Sequence, residues 1–264
     1  MLDRDTLRRA FDAQVRLVDV ADLRPGVEAQ VDGTIVRMVG EYRGFVSGPA
    51  DLGVTGSALE ELITRQRDFF AARGEAVEWK TWGHDLPREL PTLLEKAGFV
   101  PEPVETVVVA DAATTAAHGE PPLPGDVAIR ATASRRDIER IAAMEAEVWG
   151  EDHSSFVDEL FERAERGGIV VLLAESGNTV VSAGWLSTTP GCDFAGLWGG
   201  STLKEWRGRG LYRTLVARRA RLAVERGARY LYVDASDDSR PILERLGFVA
   251  VTTTTPYVWT PPAG

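Results

Sequence analysis

The run Glu205-Trp206-Arg207-Gly208-Arg209-Gly210-Leu211-Tyr212 has residue types and spacing suited to holding an anion. It follows a predicted strand and opens a predicted helix. The first N–H groups of a helix lack intrahelical partners, and the helix dipole places partial positive charge there. Glycines let an anion approach the backbone, and Arg207 and Arg209 add formal charge. Together these residues read as a pyrophosphate cradle. The run is neither a GxxxxGK P-loop nor a GxGxxG fingerprint. RGRG is also compatible with a solvated loop or an RNA-binding fragment, but one copy without neighbouring aromatic repeats speaks against RNA.

The rest of the composition narrows the function classes. The chain has 264 residues with 40 acidic and 30 basic side chains, a net charge of −10. A hydrophobic share of 44% with 27% charged residues is that of a globular protein. The acidic balance argues against a general nucleic-acid or membrane-surface binder. The single Cys192 excludes a disulfide framework and a cysteine-based metal site, so no metal is expected, and it fits a reducing cytoplasm. The charged start MLDRDTLRRAFDAQVRL has no signal-peptide apolar region, and runs such as Ile169 to Ala174 are too short to span a membrane. A cytoplasmic protein is expected. Lysine occurs only at 80, 96 and 204, an arginine bias that points to a GC-rich, bacterial coding genome.

Several elements must position the loop. Asp111–Asp126, rich in small residues, proline and glycine, reads as a linker, which sets domains at 1–112 and 127–264 with 113–126 between them. After it come a strand at Val127–Ala133 and a helix from Ser134 to about Trp149, with Ser134 and Asp137 spaced as a capping box. A short helix at Ser155–Arg166 follows. Two strands then flank the turn Ser176-Gly177-Asn178, and a third, DFAGLWGGSTL, precedes the RGRG run. Gly210–Arg226 reads as a long helix stopped by Gly227. YLYVDA is a buried strand, Arg240–Leu246 a short helix, and FVAV and PYVWT two closing strands. This order predicts an α/β fold, a mixed sheet covered by helices.

The first half repeats part of the pattern. Gly74–Phe99 and Gly227–Phe248 each read glycine, strand, loop, short helix, then Leu-Glu-Lys/Arg-x-Gly-Phe, and the helix Ser57–Arg73 matches Leu211–Arg226. An internal duplication is the simplest reading.

These features resemble the GCN5-related N-acetyltransferases (GNAT). The likeness covers residues 127–264 with the full element order and about 28–110 in degenerate form, giving two GNAT-like units, the second complete. Two motifs carry it. R/Q-x-x-G-x-G/A is matched by Arg207 and Gly210, with Tyr212 in place of the final small residue. N-x-x-A-x-x-x-Y-x-x-x-G-F is matched by Gly247-Phe248, with Ser236, Ser239 and Leu243 at the places of Asn, Ala and Tyr. The resemblance implies acetyl-CoA as co-substrate. Its pyrophosphate would lie on Arg207, Gly208, Arg209, Gly210, Leu211 and Tyr212, and its pantetheine beside Gly200–Leu203, including Thr202 and Leu203. Ser236 and Ser239 complete the implied cofactor set. A β-bulge is expected at Gly199-Gly200; the alternative is that these glycines relieve crowding by Trp198 and Trp185.

The implied chemistry is direct acetyl transfer to an amine, which needs a base and an acid for the leaving thiolate. The family tyrosine acid is replaced by Leu243, so Tyr257 on the last strand, or Tyr212, takes its place. Asp193, Asp234, Glu145 and His153 are candidate bases. Trp79, Trp82, His84 and Asp85 are candidates from the first half. Both arginines are absent at Asp51–Ser57, so one CoA site per chain is expected. The acceptor is a small-molecule amine, or less readily a protein amine; no nucleic acid or membrane partner is expected, and the chain is a monomer or homodimer. The alternative function is a non-catalytic acyl-CoA sensor or interaction module, which Leu243 favours.

Overall fold

The computed structural model describes residues 3–16, 23, 26–40, 43–150 and 152–262; the outermost ends of the two expected domains, 1–2 and 263–264, lie outside them. The helices are α1 (Arg4–Gln14), α2 (Gly56–Arg73), α3 (Leu90–Lys96), α4 (Ala112–Ala116), α5 (Arg135–Trp149), α6 (Val157–Glu165), α7 (Leu211–Glu225) and α8 (Arg240–Arg245). The strands are β1 (Glu28–Asp32), β2 (Ile35–Val39), β3 (Gly44–Ser47), β4 (Val77–Trp82), β5 (Val100–Pro101) and β6 (Glu105–Asp111). They continue with β7 (Val127–Thr132), β8 (Ile169–Ser176), β9 (Thr179–Thr188), β10 (Phe194–Thr202), β11 (Tyr230–Ala235) and β12 (Val249–Trp259). Two compact units result, neither of them one continuous stretch: Met1–Val108 with Asp234–Ile242 and Ala250–Gly264, and Val109–Val233 with Leu243–Val249.

In the first unit the strand order is β1-β2-β3-β4-β12, and β5 pairs with β12. β3 runs parallel to β4, and β12 runs antiparallel to it with Tyr257 opposite Trp79. One face of α2 is apolar at helical spacing, and it buries Leu59, Leu62, Ile63 and Phe70 with Val46, Trp79, Leu90, Leu94 and Tyr257. In the second unit the order is β11-β10-β9-β8-β7. β7 to β10 form an antiparallel meander, and β11 is parallel to β10. The apolar stripe of α5 (Ile138, Ile141, Met144) and Leu160 of α6 pack on Val171, Leu173, Val181 and Ala183. α7 buries Leu215 with the small Ala217, Ala220 and Ala223.

Three local expectations are corrected. The strands read as FVAV and PYVWT are one strand, β12, because Pro256 sits inside it opposite Lys80; lacking an N–H, it reads in sequence as a terminator. Ser134 makes no side-chain cap to α5. Asp137 instead binds Arg130 at 2.7 and 3.0 Å, Arg140 at 2.7 Å and Thr132 at 2.8 Å. The stretch read as a linker contains α4, capped by Asp111, which accepts from the Thr114 amide at 2.7 Å. Farther along, Glu120 pairs with Arg218 at 3.1 Å and with Arg221, so this stretch is fastened to α7.

Candidate active site

Everything in the second unit converges on the C-terminal half of β10. Its parallel pairing with β11 is limited to Phe194–Gly196 against Tyr230–Tyr232. Its antiparallel register with β9 shifts between Trp198 and Ser201, so the expected bulge is present. Gly199 lies there at φ 58°, in the left-handed region that a side chain disfavours. The crowding reading holds as well, in altered form. A Cβ on Gly199 would fall inside the Trp185 ring, whereas Trp198 crowds Gly196, and a Cβ on Gly200 would stand 2.7 Å from the Tyr212 ring.

The bulge is braced from beneath by Arg219 of α7, which is buried. Its Nη1 donates to the Trp198 carbonyl at 3.0 Å, and its Nε to the Leu215 carbonyl at 3.1 Å. Burial pulls its pKa down to about 10, which leaves it charged at neutral pH. A buried charge held by carbonyl dipoles costs stability unless those bonds persist, so Arg219 and the bulge fix each other.

At the far end of β10, Arg207 Nε donates to the Thr202 carbonyl at 3.1 Å and ties the loop to the strand. Arg209 lies over the Trp206 ring at 4.9 Å. Neither arginine forms a salt bridge among the described residues. Gly210, at φ 85°, is the N-cap of α7, and the first helical bond runs from the Thr214 amide to its carbonyl at 2.9 Å. Three amides thus precede the first intrahelical bond, beside two guanidinium groups without acidic partners. Leu211 and Leu203 are buried anchors. Pro121, 2.6 Å from where a Gly210 Cβ would stand, explains why no side chain fits there.

One acid meets the bulge. Glu145 of α5 is 4% exposed. Its Oε2 accepts from Ser201 Oγ at 2.8 Å and from Trp149 Nε1 at 2.7 Å. Burial raises its pKa, against the opposing pull of the Ser201 and Trp149 hydrogen bonds and the His153 charge. Its Oε1 and His153 Nε2 are buried with no hydrogen-bond partner among the described residues.

The other expected acids and the tyrosine sit in different local settings. Asp193 is exposed just before β10, six residues ahead of Gly199, or about 20 Å along an extended strand. Its carbonyl receives the Arg229 and Tyr230 amides, both at 2.8 Å. Asp234 belongs to the first unit, where the Lys80 ammonium holds its carboxylate at 2.6 Å. Tyr257 has its ring in the apolar core of that unit, and burial raises its pKa. Ser236 and Ser239 lie there too, 3.2 Å apart at the start of α8. Leu243 is fully buried. The first-half candidates are structural: Trp79 and Trp82 are core, and Asp85 accepts from Arg16 at 2.6 Å. His84 bridges Asp12 and Thr252 at 2.9 and 2.8 Å.

The bulge, the parted strands and the cationic helix start can be set against known proteins. Residues 136–248 match the model of the acetyltransferase (GNAT) family. The match supports the GNAT family and points to acyl-CoA-dependent acetyl transfer; it begins in α5, ends after α8, and leaves the first 135 residues outside. No curated protein matches the chain in sequence. The fold is similar to that of a GCN5-related N-acetyltransferase from Kribbella flavida (TM-score 0.66, 18% identity, covering 90% of this chain and 91% of that one). A functionally unknown conserved protein from Staphylococcus epidermidis shares it at TM-score 0.65 and 14% identity, with 92% and 98% covered. So does a tandem GNAT protein from the clavulanic acid biosynthesis pathway, at TM-score 0.62 and 14% identity, with 99% and 95% covered. At these identities the likeness is one of fold. No helix among the described residues is long and apolar enough to cross a membrane.

Proposed function

We propose that the chain is an acetyl-CoA-dependent N-acetyltransferase acting on a small-molecule amine, with one working site in the residues from 127 onward and a degenerate GNAT-like copy before residue 113. The observation that carries this reading is the bulge at Gly199, where β10 has left its parallel partner and runs into the arginine-flanked start of α7. The residues fit the co-substrate. Arg207, Gly208, Arg209 and the first amides of α7 supply donors and positive charge for a pyrophosphate. Thr202 and Leu203 close the strand end along which pantetheine would lie. Bulge amides released from the ladder would polarise the thioester carbonyl as an oxyanion forms.

Within this reading Tyr212, whose ring rests on Gly200, is the donor to the leaving thiolate. An acyl-CoA sensor without turnover is the second reading, favoured by the buried Leu243 at the family tyrosine position. Two measurements separate them. Acetyl-CoA raises the melting temperature under both readings, whereas thiol release across an amine panel occurs only under the first. No melting shift at all would sink both.

A further inference from the structure

We propose that Glu145 and His153, with Trp149, Phe156 and Trp185 around them, form the acceptor pocket, and that it takes a primary amine arriving as a cation on an apolar or aromatic body. This rests on the acetyltransferase reading and names its acceptor class. Two buried polar atoms, Glu145 Oε1 and His153 Nε2, have no partner among the described residues. An unsatisfied buried carboxylate oxygen costs free energy unless a ligand or a bound water supplies the donor. Glu145 Oε2 is fixed by Ser201 and Trp149, which orients Oε1 and leaves it to take a proton or an N–H. Ser201 closes the register shift itself, so the carboxylate stands beside the strand where the thioester is read to lie.

The walls are aromatic and continuous. His153 meets Phe156 edge-on with centroids 5.8 Å apart, Phe156 meets Trp185 at 5.9 Å, and Trp185 covers Gly199. Trp149 is 54% exposed, and its indole N–H holds Glu145. A buried carboxylate near aromatic residues suits a cation on an apolar stem, and it repels an acceptor that carries its own carboxylate.

The step balances as follows. Glu145 takes one proton from the ammonium and gives it up to solvent before the next turnover. The neutral nitrogen attacks the thioester carbon; the C–N bond forms and the C–S bond breaks. The nitrogen's second proton is lost as the amide forms, and the thiolate takes up one proton to leave as free thiol.

The test uses the full chain with phenethylamine and L-glutamate as probes. Phenethylamine should release thiol at least tenfold faster than L-glutamate. Glu145→Gln keeps the shape and both Oε2 contacts' geometry; it should lower phenethylamine turnover by about 100-fold, in the range of base catalysis. It should weaken phenethylamine binding in a titration with CoA present, and keep the acetyl-CoA melting shift. His153→Asn should lower turnover by about tenfold. A wild-type chain that binds acetyl-CoA and releases thiol, with both variants at wild-type turnover or with L-glutamate preferred, would overturn this inference alone. A wild-type chain with no thiol release on any amine would overturn it together with the enzyme reading.

Discussion

Two segments of this chain have the same order of elements and opposite chemistry. In each, a strand is followed by a glycine-containing loop, a long helix, a parallel strand and a short helix: β3, α2, β4, α3 in the first and β10, α7, β11, α8 in the second. In the second, the helix start carries Arg207 and Arg209 without acidic partners among the described residues. In the first, the Gly56 amide at the start of α2 donates to Glu89 Oε1 at 2.8 Å. The loop before it is pinned by Leu52, buried, whose amide bonds the Leu86 carbonyl at 3.0 Å. The first helix start has its own carboxylate where the second, on the reading proposed above, takes a phosphate from outside. A shared fold therefore does not imply a shared site; the charge at the helix start decides.

The sharpest way to break the comparison is charge reversal in the second segment. Arg207→Glu with Arg209→Glu should weaken acetyl-CoA by at least 100-fold and remove its melting shift, while titration of the wild-type chain gives one site. Two equal sites, or a shift that survives the double variant in a folded protein, would show that the arginine loop is not the anion site. This pair is a better probe than any substitution at Gly210, where Pro121 and the positive φ would confound the outcome.

The two tyrosines sharpen it next. Tyr212→Phe should lower turnover by about 100-fold with acetyl-CoA binding kept, whereas Tyr257→Phe, altering a ring in the first unit's core, should leave turnover within about threefold. The reverse pattern, read by the same thiol assay, would return the acid role to Tyr257.

Smaller effects test the first segment. Glu89→Ala removes the carboxylate at the α2 start and should cost about 0.5–1 kcal/mol, seen as a melting temperature lower by a few degrees with no second CoA site gained. Glu105 gives a pH test. Burial chiefly, and then the Asp234 charge, raise its pKa from 4.5 to about 7, against the pull of Lys80. A raised carboxyl favours the folded state while neutral, so that stability is full below about pH 4.5 and is lost as pH rises through about 7. Glu105→Gln should therefore gain on the wild type by about 1 kcal/mol between pH 5 and pH 8, allowing for the partial exposure of the group. Parallel melting curves for the two would refute the shift.

The sequence made the local parts of this architecture legible and left the long-range parts open. RGRG at a helix start and Gly199-Gly200 in a strand are signals carried by neighbouring residues, and both the helix start and the bulge are where they were expected. The base proposed above was not legible. Glu145, Asp193 and Asp234 are all carboxylates near element ends, and only packing distinguishes them: one meets Ser201, one lies at the wrong end of β10, and one is held by a lysine 154 positions away in sequence. β1 and β2 passed unread because β1, with Val31 72% exposed, has no apolar alternation. Pro256 hid the continuity of β12 for the opposite reason, since a strong local signal was overridden by the ladder on either side of it.

Arg219 gives α7 a second task. On the proposed reading the helix presents its start to an anion, and two turns later its buried guanidinium grips the carbonyl on which the bulge turns. That reading links phosphate docking and thioester placement mechanically, through one rigid rod about 12 Å long between those points. A ligand that steadies the first turn also steadies the strand, and amide hydrogen exchange at Gly199 to Ser201 should slow when pyrophosphate alone is bound, before any acyl group is present.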